Sequence, residues 1–153
     1  MFTKTTIGML LLFSLLGLNP QRTSLANLQI QDAPISVQID HFAKLYGVDG
    51  SIVSKVIECE SEGRHYAENG MIQGDGGLSM GIAQFQKSTF ERMEKKLGED
   101  LNYESSFDQI KLLSFAISQG WGREWTAYRA IMNGGTYSFY SRQLNKHFTV
   151  HCK

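Results

Sequence analysis

Between Gly63 and Gly77 the chain places glycine at 63, 70, 74, 76 and 77, and the apolar spacing seen on both sides of this stretch stops inside it. Such a segment cannot continue a helix, because each interior glycine costs about 1 kcal/mol relative to alanine. It reads as a loop or short β-hairpin, close to the longest connection found without a functional reason. On either side the periodicity is helical. Val37, Ile39, Phe42, Ala43 and Leu45 lie in a first helix ending near Tyr46-Gly47. Asp49 is placed to cap a second, in which Ile52, Val53, Val56 and Ile57 share one face. Ser88-Thr89-Phe90-Glu91 reads as a capping box opening a helix through Met93 to Leu97, and Ser106-Phe107-Asp108-Gln109 as another before Ile110, Leu113 and Ile117. A further helix covers Glu124 to Met132, until Asn133-Gly134-Gly135 stops it. Residues 27–35 read as a loose leader. The expectation is one mostly helical domain with a glycine-rich insertion.

The N-terminus has the form of an export signal. Met1 to Lys4 is short and basic, Ile7 to Leu18 is apolar apart from one serine, and Ser24-Leu25-Ala26 offers small residues for cleavage. The apolar run falls short of the roughly 20 residues that span a bilayer, although an uncleaved anchor is the other reading. Residues 1–26 are therefore expected to be a signal peptide and 27–153 the domain, in a protein that is periplasmic or secreted. Export bears on the two cysteines. In an oxidising compartment Cys59 and Cys152 can pair as a disulfide; otherwise they are separate thiols, with Cys59 buried as a small apolar residue. No cysteine-protease pattern joins either cysteine to a histidine.

Composition removes other classes. Fifteen Lys and Arg balance fifteen Asp and Glu, without the basic excess of a nucleic-acid binder. Two cysteines cannot build a four-cysteine zinc site, and no motif supports a metal or a nucleotide cofactor.

The chemistry gathers where the second helix meets the glycine-rich stretch. Glu58 and Glu62 share a helix face, while Glu60 lies about 200° around from Glu58, on the side of Val53, Val56 and Ile57. A carboxyl group drawn towards apolar neighbours has its charged form disfavoured, which suits a general acid. The alternative is a partly exposed carboxylate at a helix end with no function. Downstream, Gly76 to Phe85 combines small residues with Ser79 and Gln84, neutral groups suited to sugar hydroxyls and acetamides; a flexible turn is the alternative. Trp121, Trp125 and Tyr128 could wall a sugar groove, though such aromatics are more often core.

Together these residues resemble the soluble lytic transglycosylase domains of the lysozyme-like superfamily. Ala43 to Ser61 (AKLYGVDGSIVSKVIECES) is similar to the opening of that domain, Gly77 to Phe85 to its second motif, and Ala127-Tyr128 to the start of its third. The resemblance spans about residues 37 to 133. It departs at Ile82-Ala83, where Leu-Met is common, and at Arg129, where asparagine is usual. It implies a mainly α, α+β lysozyme-like fold with the loop or hairpin beside an active-site cleft. Glu60 would be the single catalytic acid, followed by Ser61. Gly81 and Gln84 would line the sugar groove, and the Tyr128 hydroxyl would lie near Glu60.

The substrate implied is the glycan strand of peptidoglycan, cut between N-acetylmuramic acid and N-acetylglucosamine. A single carboxyl group serves as acid and then base, and the muramic acid's own C6 hydroxyl attacks, leaving 1,6-anhydro ends. A hydrolytic muramidase with Asp75 positioning water is the alternative enzyme, and a catalytically silent wall-binding protein the alternative from another class. A monomer is expected, with an envelope-spanning secretion or conjugation apparatus as a candidate partner.

Overall fold

The computed structural model describes residues 29–141 and 145–152, so the expected signal peptide lies outside the described residues. The chain divides after Pro34 into two units. Of the first, residues 29–31 form a helical turn. The second unit carries the site.

It opens with α1 (Ile35–Tyr46), which buries Gln38, Ile39, Phe42 and Ala43 and leaves Val37 and Leu45 in solvent. Gly47 ends α1 in a left-handed conformation at φ +68°, and the Val48 N–H turns back to the Ala43 carbonyl at 2.9 Å. Asp49 then caps α2 (Gly50–Ser61), its carboxylate accepting from the Ser51 N–H at 2.8 Å. Val53, Val56 and Ile57 are fully buried, as the helical phase requires.

The glycine-rich stretch folds into two small antiparallel sheets. One pairs β1 (Tyr66–Ala67) with β2 (Gly70–Met71); the other orders β3 (Gln73–Gly74), β4 (Ser79–Met80) and β5 (Phe85–Gln86) side by side. Next come α3 (Lys87–Leu97), α4 (Ser106–Ser118), a 3₁₀ turn at Trp121–Glu124, and α5 (Thr126–Met132). A hairpin of β6 (Thr136–Ser141) and β7 (Lys146–His151) follows, with Phe139 opposite Phe148. The fold is mainly α with small sheets, as the sequence implied. Its core joins Phe42, Val56, Ile57, Ile82, Phe85, Phe90, Met93, Ile110 and Leu113, each burial contributing about 1.5–3 kcal/mol.

Three local expectations are corrected. Gln86, not Ser88, precedes the first turn of α3, because β5 runs straight into the helix and no side chain caps it. The cap of α4 is Ser105 rather than Ser106; its hydroxyl accepts from the Asp108 N–H at 3.2 Å. The helix expected from Glu124 starts at Thr126, since Trp125 is extended at φ −90°, ψ 132°.

Gly81 shows how tightly the insertion is held. Its φ is +79°, and a Cβ there would stand 2.5 and 2.6 Å from the Gln109 amide and 2.8 Å from His65 Cε1. Gly81→Ala is expected to cost about 2–5 kcal/mol, combining left-handed strain with overpacking. Gly98→Ala, at φ +78° in open space, should cost only the strain part. Thermal unfolding of the two variants checks this; equal losses would mean that packing against His65 and Gln109 is not tight.

Candidate active site

Helix α2 ends because Glu62 turns left-handed at φ +55° and Gly63 follows at +71°. Glu58 and Glu62 face solvent, whereas Glu60 is partly buried and borders a cleft of about 610 Å³. Asp75, Ser79 and Gln84 line this cleft from the glycine-rich region, Trp125 from the turn before α5, and Phe139 and Phe148 from the hairpin.

Burial raises the Glu60 carboxyl group from 4.5 to about 7; the backbone N–H of Ala127 partly offsets this, and the nearby charge of Asp75 adds to it. The acid therefore keeps much of its proton near neutrality. Asp75 adopts φ +50°, and the Ser79 hydroxyl donates to its carboxylate at 2.8 Å. Glu124, at the rim, faces Arg92 across an exposed 3.7 Å ion pair of little energetic weight. Among the described residues no three His, Cys, Asp or Glu side chains gather as a metal site would need.

Behind the cleft, the backbone groups of Ile82 and Ala83 are satisfied by side chains from elsewhere, while the Gly81 N–H donates to the Ile72 carbonyl at 2.8 Å and the Gln84 N–H to the Gly81 carbonyl at 3.2 Å. The Ile82 N–H donates to His65 Nδ1 at 3.0 Å, so Nε2 carries the ring proton towards the Glu104 carbonyl at 2.8 Å, and burial keeps the ring neutral by lowering its pKa. The Ala83 N–H donates to Gln109 Oε1 at 3.1 Å, and Trp125 Nε1 donates to the Ala83 carbonyl at 2.7 Å. The Ser61 hydroxyl, one residue after Glu60, reaches the Ile82 carbonyl at 2.8 Å. An unpaired buried backbone group would cost about 1–3 kcal/mol, so these bonds fix the loop against the end of α2 through Ser61, against α4 through Gln109 and against the turn before α5 through Trp125.

These contacts sort the residues singled out in the sequence. Glu60, Ser79, Gln84 and Trp125 border one cleft. Gln84 Nε2 donates to the carbonyls of Gly81 at 2.7 Å and Ile72 at 3.1 Å, so its amide nitrogen holds the loop. Ser61 and Gly81 act on buried backbone. Trp121 and Tyr128 do not border this cleft. The 3₁₀ turn directs Trp121 to Phe115, edge-on with centroids 5.9 Å apart. The Tyr128 ring lies against Gly122, where a Cβ would approach its carbons to 2.7–2.8 Å, and it borders a neighbouring hollow. The Cys59–Cys152 disulfide is formed, with Cα atoms 5.5 Å apart, and ties the residue before Glu60 to the end of β7.

The hairpin is absent from the sequence reading, which stops at Gly135. A period-two alternation was available to find it: Tyr137 and Phe139 on one run, Phe148 and Val150 on the other.

A helical domain with one poorly solvated glutamate at a helix end, set in a cleft of neutral polar and aromatic groups, is built as lysozyme-like glycan-cleaving domains are. The chain belongs to the transglycosylase SLT domain family, which it matches over residues 38–130. Members of that family are lytic transglycosylases, and their substrate is peptidoglycan. No curated protein and no solved structure matches the chain. The hairpin lies beyond the matched residues.

Proposed function

We propose that this protein is an exported lytic transglycosylase that cuts peptidoglycan between N-acetylmuramic acid and N-acetylglucosamine, with Glu60 as its acid and then its base. The observation that carries this reading is the Glu60 carboxyl group, raised to about 7 inside the cleft. Protonated Glu60 donates to the glycosidic oxygen as the bond to the muramic anomeric carbon breaks. The C6 hydroxyl of the same muramic acid attacks that carbon, and its proton goes to the carboxylate just formed. Atoms balance without water, and the product carries a 1,6-anhydro end.

Ser79 and Trp125 border the groove that takes the sugar, while Gln84, Ser61 and Gly81 hold the loop that shapes it. Trp121 and Tyr128 act through packing. Cleavage after residue 26 would leave the domain of residues 27–153 outside the cytoplasm, where the wall lies.

One observation favours a second reading, in which water attacks. Asp75 borders the same cleft and its charge reaches Glu60, as an inverting hydrolase would need of a second carboxylate. Mass analysis of products from purified peptidoglycan separates the two. Anhydro ends, still formed by Asp75→Asn, are the expected result; reducing ends that vanish in Asp75→Asn would select the hydrolase, and no products at all would reject both.

A further inference from the structure

Beside the Glu60 cleft lies a second hollow of about 360 Å³, bordered by Arg123, Tyr128, Arg129, Met132, Asn133 and Tyr137. Two of these residues are cationic and none is acidic. Arg129 is fixed in place: its Nε donates to the Arg123 carbonyl, its Nη1 donates to the Tyr137 hydroxyl at 3.3 Å, and its guanidinium lies 5.4 Å from the centre of the Tyr137 ring. Those bonds use two of the five N–H groups of an arginine, leaving others to point at a ligand. The exposed Arg123 guanidinium has no hydrogen-bond or ion-pair partner among the described residues.

A ladder of rings links the hollow to the cleft. Tyr137 stacks on Phe139 with centroids 6.0 Å apart and planes 20° from parallel, and Phe139 stacks on Phe148 at 5.6 Å and 21°. Phe139 and Phe148 both border the Glu60 cleft, so the ladder of rings leads from the acid to the arginines. The charges of the two spaces are opposed. The cleft holds Glu60, Asp75 and Glu124, whereas the hollow holds Arg123 and Arg129. Neutral sugar rings fit the first, while a carboxylate is repelled there and attracted to the second.

We propose that Arg123 and Arg129 form a subsite for carboxylates on the lactyl branch of muramic acid, with the Tyr137–Phe139–Phe148 ladder as the path between it and the cleft. This rests on the peptidoglycan reading. Within a glycan strand only the muramic unit bears such a branch, either as a free lactyl carboxylate or extended by a peptide with carboxylates of its own. Opposed charge in cleft and hollow therefore sets which sugar faces which side of Glu60.

The test compares wild type, Arg123→Gln and Arg123→Glu on peptide-bearing glycan strands and on strands stripped of peptide by an amidase. N-acetylglucosamine oligomers, which have no carboxylate, serve as competitive inhibitors. KM for carboxylate-bearing strands should rise about 3-fold in Arg123→Gln and about 10-fold in Arg123→Glu, as expected for losing and then reversing a charge-assisted contact. Values of kcat, melting temperature and the inhibition constant of the oligomers should stay level. A rise confined to peptide-bearing strands identifies the peptide carboxylates as the ligand; a rise confined to stripped strands identifies the free lactyl carboxylate, and a rise on both shows that the subsite takes either. Strand cleavage with unchanged KM, or an equal loss of oligomer binding, overturns the subsite alone. A wild-type protein that cleaves neither strand overturns the peptidoglycan reading and the subsite with it.

Discussion

Glu60→Gln should lower strand cleavage by about 10²–10⁴-fold, the range of a positioned proton donor, in a protein that still unfolds cooperatively. The amide keeps the shape of the carboxyl group and removes its transferable proton. Wild-type kcat/KM should fall about tenfold per pH unit above the acid's pKa of about 7, as the protonated form is depleted. The same substitution should affect stability with the opposite sign. Because the folded pKa is raised from 4.5, the folded state holds the proton more tightly than the unfolded chain between 4.5 and about 7. Wild-type stability thus declines across that window, and the loss is complete above it. Glu60→Gln should match wild type near pH 4 and exceed it by about 1–3 kcal/mol at pH 8, a range that allows for the acid's contact with cleft water. Denaturant titrations at both pH values measure this. A variant that loses activity but gains nothing at pH 8 would show that Glu60 is well solvated.

Replacing Cys59 and Cys152 together by serine should lower the melting temperature by about 10 °C, from a loss of about 2–4 kcal/mol. The bridge spans 93 positions, a long closure whose removal frees much of the unfolded chain. It also secures the hairpin. Cys152 is buried, and its N–H donates to the Gly135 carbonyl at 2.8 Å, so both ends of the hairpin meet near the end of α2. Below the melting transition kcat should be retained and KM should rise, because Phe139 and Phe148 wall the cleft from this hairpin. An unchanged melting temperature would place the bridge outside the stabilising interactions of the fold.

What the sequence made legible follows from the range of the forces concerned. The faces of α1 and α2, the Asp49 cap and the inward turn of Glu60 depend on neighbours within a few residues, and helical phase displays them. The boundaries of α3 and α4 shifted because strand β5 and Ser105, not the serines inside the boxes, set where each helix begins. Gly81 and Ser61 drew attention as groove residues, yet they meet buried groups 16 to 28 residues away: the Ile82 carbonyl for Ser61, and the His65 and Gln109 side chains for Gly81. Trp121 and Tyr128 lie near Trp125 in sequence, but the 3₁₀ turn sends their rings elsewhere. The hairpin escaped because its alternation mixes aromatic with polar residues while both faces stay partly wet, leaving no strong apolar run.

The bridge between Cys59 and Cys152 also fixes an order of events in time. A ribosome adding about 5–20 residues per second needs roughly 5–20 s to travel from the first of these cysteines to the second. Throughout that interval the nascent chain has its acid but lacks the wall that completes the cleft around it. Helix α2 can form early, yet the groove exists only once residues 136–152 have been made and have doubled back onto a segment synthesised long before. The groove around Glu60 is thus completed late, when the hairpin closes onto the end of α2.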